Sequence, residues 1–252
     1  MNPSMTPCGG IPAGRRARYG EGMVLAARTR GLGTENAFKI LHDIATCRAR
    51  GIDVVPLNLG EPDFDTPGFI ADAAVAEIRA GNTHYSDPAG IVPLREAIAG
   101  HVASSRGIPV DPEQVVVTAG AKPTIGYALQ AYVEPGDEVI YPSPGFPIYE
   151  SWVTYMGAKP VPLQLSEDRG FTFTAADLDR LITPATKLVI LNSPSNPTGG
   201  VLSEPDLAGI AAVLGARGGA PIRVYSDEVY EHLVFDGEAH HSISSQPEMA
   251  AM

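Results

Sequence analysis

Short, β-branched apolar runs that alternate with helical stretches constrain this 252-residue chain more than any other feature of it. Val115-Val116-Val117-Thr118, Glu138-Val139-Ile140-Tyr141, Leu188-Val189-Ile190-Leu191 and Ile222-Arg223-Val224-Tyr225 have strand length, and helical patterns follow them. Their apolar character is continuous rather than alternating, so both faces of each strand must be buried. A parallel sheet between two helical layers meets that demand. The expected fold class is therefore α/β, a mainly parallel sheet flanked by helices. Ligands of such sheets collect at the carboxyl ends of the strands, which directs attention to the residues just after each run.

The flanking segments carry their own signals. Thr34 is placed to cap a helix with Ala37, Ile40, Leu41 and Ile44 on one face. Val54 to Leu59 reads as extended and leads into the loop Gly60-Glu61-Pro62-Asp63. Thr66 before Pro67 predicts a capped helix start, and Gly81 its end. Leu94, Ile98 and Val102 mark a further helix that stops near Gly107. Thr174 with Asp177 and Ser203 with Asp206 have capping-box spacing, with Asp in place of Glu. The expected division is a disordered leader over 1–32, an N-terminal helix and substrate-loop segment over 33–66, and one large domain over 67–252. The leader holds Arg15, Arg16 and Arg18 with no acid before Glu21 and lacks the apolar core of a secretory signal. Met23 is an alternative start.

Composition excludes some functions. Acidic residues outnumber basic ones, 29 to 18, for a net charge of -11, which opposes nucleic-acid binding. No run has the length and apolarity of a membrane span. Cys8 and Cys47 form no pair spacing, and the adjacent His240 and His241 read as solvated surface residues, so no metal site is expected. The expected location is cytoplasmic.

Four strings follow the runs. Thr118-Ala119-Gly120-Ala121-Lys122-Pro123 opens a helix, and its small residues suit either a tight turn or an anion held on backbone N–H groups. Pro142-Ser143-Pro144-Gly145-Phe146-Pro147 is a stiff loop that presents Phe146 to a flat ligand or to the core. In Asn192-Ser193-Pro194-Ser195-Asn196-Pro197-Thr198-Gly199-Gly200, Asn196 is held extended by the proline after it, so its amide can point off the sheet edge. Ser226-Asp227-Glu228-Val229-Tyr230 puts a carboxylate at a strand end and a phenol one helical turn beyond; a helix cap is the plainer role for Asp227.

These strings in order, with Asn58-Leu59-Gly60-Glu61-Pro62-Asp63-Phe64, His84-Tyr85, Ala89-Gly90 and Leu94-Arg95, resemble the class I aminotransferases. This is the aspartate-aminotransferase-like branch of the fold-type I pyridoxal-phosphate (PLP) enzymes, and the match runs from about Gly33 onward. The resemblance implies that Gly120, Ala121 and Lys122 bind the cofactor phosphate by their backbone, and that Phe146 stacks on the pyridine ring. It implies that Asn196 and Tyr230 bond the phenolic oxygen and that Asp227 pairs with the ring nitrogen. Gly60, with Asn196, would meet the substrate carboxylate, and Tyr85 would reach the phosphate of a partner subunit in a homodimer. Asp227 and Tyr230 are the implied catalytic residues, and the implied substrates are an L-amino acid and a 2-oxo acid.

The resemblance also implies a Schiff-base lysine beyond the Asp-Glu-Val-Tyr string, and none of Lys39, Lys122, Lys159 and Lys187 stands at its place. The expectation is a large domain incomplete at its C-terminus and inactive alone, as a fragment, a short PLP-binding protein or one part of a split enzyme. A PLP-dependent lyase of the same fold and a non-catalytic PLP-binding protein are the alternatives to amino transfer.

Overall fold

The structure, a computed structural model, describes residues 26–29, 36–218 and 221–249, with only the backbone described over 36–39. Thr34 and nearly all of the 1–32 leader lie outside the described residues; of that leader, Ala27–Thr29 forms a 3-10 turn.

Four parallel strands form the sheet: β1 (Glu138–Ser143), β2 (Lys159–Gln164), β3 (Thr186–Asn192) and β4 (Arg223–Asp227), in the spatial order β2-β1-β3-β4. Helices α1 (Asn36–Ala49), α2 (Gly68–Arg79) and α3 (Val92–Arg106) precede it. Helices α4 (Lys122–Tyr132), α5 (Ile148–Tyr155), α6 (Ala175–Asp179) and α7 (Glu204–Gly215) are interleaved with the strands.

Strand alternation sorts the core into two layers. Val139, Leu188 and Ile190 pack with Ile125, Leu129, Tyr149 and Val153 of α4 and α5. Ile140, Val189 and Leu191 pack on the other face with Leu178, Leu207, Ile210 and Leu214 of α6 and α7. Each fully buried Leu or Ile contributes about 1.5–3 kcal/mol, so the two-faced burial expected from continuous apolar runs is the main stabilising feature of the sheet.

The structure corrects several sequence expectations. Val115 to Thr118 is extended but joins no ladder. Its Val117 N–H donates instead to the Ala89 carbonyl at 2.8 Å, where Gly90 (φ +108°) leaves no room for a Cβ against Val117. Without a strand neighbour the run is not a strand, however β-prone its residues. Val54 to Leu59 is likewise unpaired. The cap of α2 is Pro67 itself, with no side-chain bond, rather than Thr66. Residues 229–232 after β4 form turns, not a helix. Conversely, β2 was missed because Pro160 and Pro162 argue against a strand. Lys159 and Leu165 donate backbone bonds toward β1, so the even-numbered prolines face the open edge, where a missing N–H costs nothing.

Both predicted capping boxes are present, Thr174 with Asp177 on α6 and Ser203 with Asp206 on α7. Gly107 ends α3 in the left-handed conformation.

Candidate active site

The carboxyl ends of β1, β3 and β4 and the first turn of α4 surround one cavity of about 430 Å³. Gly120, Ala121, Lys122, Phe146, Asn196, Asp227 and Tyr230 all line it. Residues predicted from four separate strings, more than a hundred positions apart at the extremes, thus converge on a single space.

Each is positioned by local chemistry. Gly120 adopts φ +82°, open to Gly at little cost, and this turns the chain into α4. The N-terminus of α4 then faces the cavity, and the positive end of the helix dipole suits an anion. The Lys122 ammonium lies 5.5 Å from the centroid of the Phe146 ring, so its charge as well as its backbone belongs to the cavity. Asn196 Nδ2 donates to the Tyr230 hydroxyl at 3.3 Å, which joins the loop after β3 to the turn after β4.

Asp227 is buried at the last position of β4. Its Oδ2 accepts a 2.7 Å hydrogen bond from the hydroxyl of Tyr149, a fully buried residue of the first turn of α5. Burial first, and then the charge of Asp227, pushes the Tyr149 phenol far above its ordinary range, so it stays protonated and donates. Tyr149 also meets Phe146 edge-to-face, with ring centroids 5.6 Å apart. Asn192, at the end of β3, donates to the Asp227 carbonyl at 3.1 Å and accepts from the Asn196 N–H at 2.8 Å. On the same strand as Asp227, Tyr225 shares a 2.6 Å hydrogen bond with Thr124 of α4, and burial raises its phenol. Sequence reading missed Tyr149, Asn192, Thr124 and Tyr225. Asn192 alone gave a signal, as a polar residue ending an otherwise apolar run.

Two other predicted site residues stand apart from this cavity. Gly60 lines an adjoining space of about 800 Å³, which shares Phe146, Asn196 and Tyr230 with the first. Tyr85 is fully exposed and lines neither. A further cavity of about 440 Å³ lies at the opposite, amino end of the strands, lined by Lys187 and Arg217.

Behind β4, Glu228 accepts from Ser226 and Ser242 at 2.7 and 2.6 Å, pairs with Arg106 at 2.8 Å, and lies 3.2 Å from His240 Nε2. The His240 side chain is only 7% exposed, which corrects its reading as a solvated surface residue; a polar sequence neighbourhood did not disclose that Glu228 would draw it in. These bonds fix the turn that carries Tyr230.

As a donor set, the cavity offers an anion-binding helix terminus, an aromatic face, a hydroxyl–amide pair and a buried carboxylate. That combination fits a flat heteroaromatic ring bearing a phosphate, a phenolic oxygen and a basic ring nitrogen.

The profile of a family described as aminotransferase class I and II matches residues 52–251. A probable aspartate/prephenate aminotransferase of Aquifex aeolicus is 38% identical over 84% of this chain and 53% of its own length. An arginine–pyruvate transaminase of Pseudomonas aeruginosa is 41% identical over 83% of the chain and 53% of its own length. The crystal structure of an aspartate aminotransferase from Rhizobium meliloti superposes with a TM-score of 0.84 at 34% identity, covering 90% of this chain and 57% of that one. The chain spans about half the length of the curated relatives it matches.

Proposed function

Because the chain belongs to the class I and II aminotransferases, a PLP-dependent family, we propose that its cavity holds PLP and serves amino transfer between an L-amino acid and a 2-oxo acid. The observation that carries this reading is the convergence of Asp227, Asn196, Tyr230 and the α4 N-terminus on one cavity.

PLP, when bound, supplies an electron sink for the negative charge left on the amino acid's α-carbon. In this proposal Asp227 keeps the ring nitrogen protonated, and Tyr149 orients Asp227 by its buried hydrogen bond. Asn196 and Tyr230, already bonded to each other, turn an amide and a hydroxyl toward the phenolic oxygen. The turn Gly120-Ala121-Lys122 at the α4 N-terminus holds the phosphate, although the Gly120 N–H itself donates to the Thr118 carbonyl at 2.9 Å; the Lys122 ammonium adds charge, and Phe146 covers the ring face. Gly60 and Asn196 line the adjoining space, where we place the substrate carboxylate.

Among the described side chains, Lys122 is the one lysine that opens onto this cavity. Lys159 is tied to Glu138 at 2.7 Å at the amino end of the sheet, and Lys187 lines the cavity at that end. We therefore propose that this chain by itself holds PLP without a covalent bond to a lysine.

The homodimer belongs to the proposal too. Helix α2 buries none of its residues, and Ile40, Leu41, Leu57, Phe64 and Phe69 are exposed. Exposed large apolar side chains in this number are typical of surfaces covered by a partner, and Tyr85 is exposed in the same part of the sequence. No helix among the described residues is long and apolar enough to cross a membrane; a cytoplasmic location is part of the same proposal.

The activity test uses protein extended to the length of its relatives, with PLP, 2-oxoglutarate and aspartate, alanine, arginine or aromatic donors in turn. Glutamate formation that Asp227→Ala abolishes supports amino transfer. β-Elimination without glutamate formation would replace it with the lyase reading.

A further inference from the structure

Outside the cavity, one cluster has the donor atoms and spacing of a metal site. His101, on the third turn of α3, and His232, in the turn after β4, each bring Nε2 to 3.5 Å from Glu231 Oε1. All three candidate ligand atoms lie within 4.8 Å of one another. In a tetrahedral site with metal–ligand bonds of about 2.0–2.1 Å, neighbouring ligand atoms stand roughly 3.3–3.4 Å apart. The two His–Glu separations already approach that edge length, and only the two imidazoles need to close on each other.

The surroundings favour a cation. The second oxygen of Glu231 hydrogen-bonds Arg106, so the carboxylate is oriented from behind while Oε1 stays turned to the imidazoles. Outer-shell bonds of this kind fix a ligating carboxylate. Glu228, which shares Arg106, leaves the group of two carboxylates and one guanidinium net negative. His101 and His232 are substantially exposed, which leaves the remaining coordination positions to water.

We propose that His101, Glu231 and His232 bind one divalent first-row transition-metal ion, of the Zn²⁺ class, through two imidazole nitrogens and one carboxylate oxygen. Two nitrogens and one oxygen suit zinc or its borderline neighbours, and are a poor set for Mg²⁺ or Ca²⁺, which take oxygen ligands. The ion would pin α3 to the turn after β4, next to Tyr230. The site is independent of PLP.

The test titrates Zn²⁺ into the whole chain, free of PLP, in a non-chelating buffer, by calorimetry and by thermal melting. The proposal expects saturable one-to-one binding, a raised Tm with Zn²⁺, and no saturable binding of Mg²⁺. His101→Ala and His232→Ala should each weaken Zn²⁺ binding at least about tenfold, since losing even an outer-shell partner of a ligand costs about that much, and abolish the Tm shift. Melts without metal establish that both variants fold; if either does not, His232→Gln and His101→Gln replace them. Absence of saturable Zn²⁺ binding, undiminished affinity in either variant, or equally tight Mg²⁺ binding would overturn it.

Discussion

At the residue scale, the pairing of Tyr149 with Asp227 holds the centre of the cavity together. The Asp227 carboxylate accepts one short bond, from Tyr149, beside a 3.4 Å bond from the Val229 N–H, so it is sensitive to losing the first. Tyr149→Phe removes the 2.7 Å bond and keeps the ring packed on Phe146. We expect a stability loss of about 1–3 kcal/mol, from leaving Asp227 without its buried partner. PLP affinity should fall with it; urea unfolding and a PLP titration check the two effects. Asp227, Asn196 and Tyr230 were legible in the sequence because each follows an apolar run, where a polar residue has no packing reason to be. Tyr149 was not legible. An aromatic in a helix reads as core, and its partner lies 78 residues away across the sheet.

At the scale of elements, the starts of α6 and α7 were readable because a side chain makes each cap, whereas the caps that Asp111 and Ser242 give to short 3-10 turns were not. On α7, Ser203 accepts from the Asp206 N–H while Asp206 accepts from Ser203, so Ser203→Ala should cost about 1 kcal/mol in a thermal or denaturant melt. On α6, Asp177 is held down to about 2, from an ordinary 3.8, first by the hydrogen bonds of Thr174 and then by Arg169. A lowered folded-state value means that this contribution is complete above the ordinary carboxylate range and is lost as pH falls toward about 2. Melts across that window should show stability declining, and declining less in Asp177→Asn. The strands were harder to read at the edges. Interior β1 and β3 announced themselves by continuous apolar residues. Edge strand β2 carries two prolines that only its register makes harmless. The run at Val115 to Thr118 has strand composition without a strand partner, and pairing is a tertiary fact that composition does not encode.

For the whole molecule, the fold class followed from the alternation of runs and helices, while the fate of its exposed apolar surface did not. Ile40 and Leu41 of α1, Phe69, Ile70, Val75 and Ile78 of α2, and Val55, Leu57 and Phe64 are exposed, and we expect the chain to self-associate through them. Phe69→Glu, which puts a charge on the exposed apolar side of α2, should shift the sedimentation coefficient toward monomer without lowering PLP affinity. The central claim is that one cavity at the strand ends, anchored by Asp227, holds PLP. Equilibrium titration of the chain with PLP, followed by absorbance and by borohydride treatment, tests it most directly. The account predicts saturable one-to-one binding, weakened at least about tenfold in Asp227→Ala through loss of a charge-assisted bond, with no lysine fixed stoichiometrically by the reductant. PLP binding of equal strength in Asp227→Ala, or a stoichiometric adduct on one lysine, would contradict it.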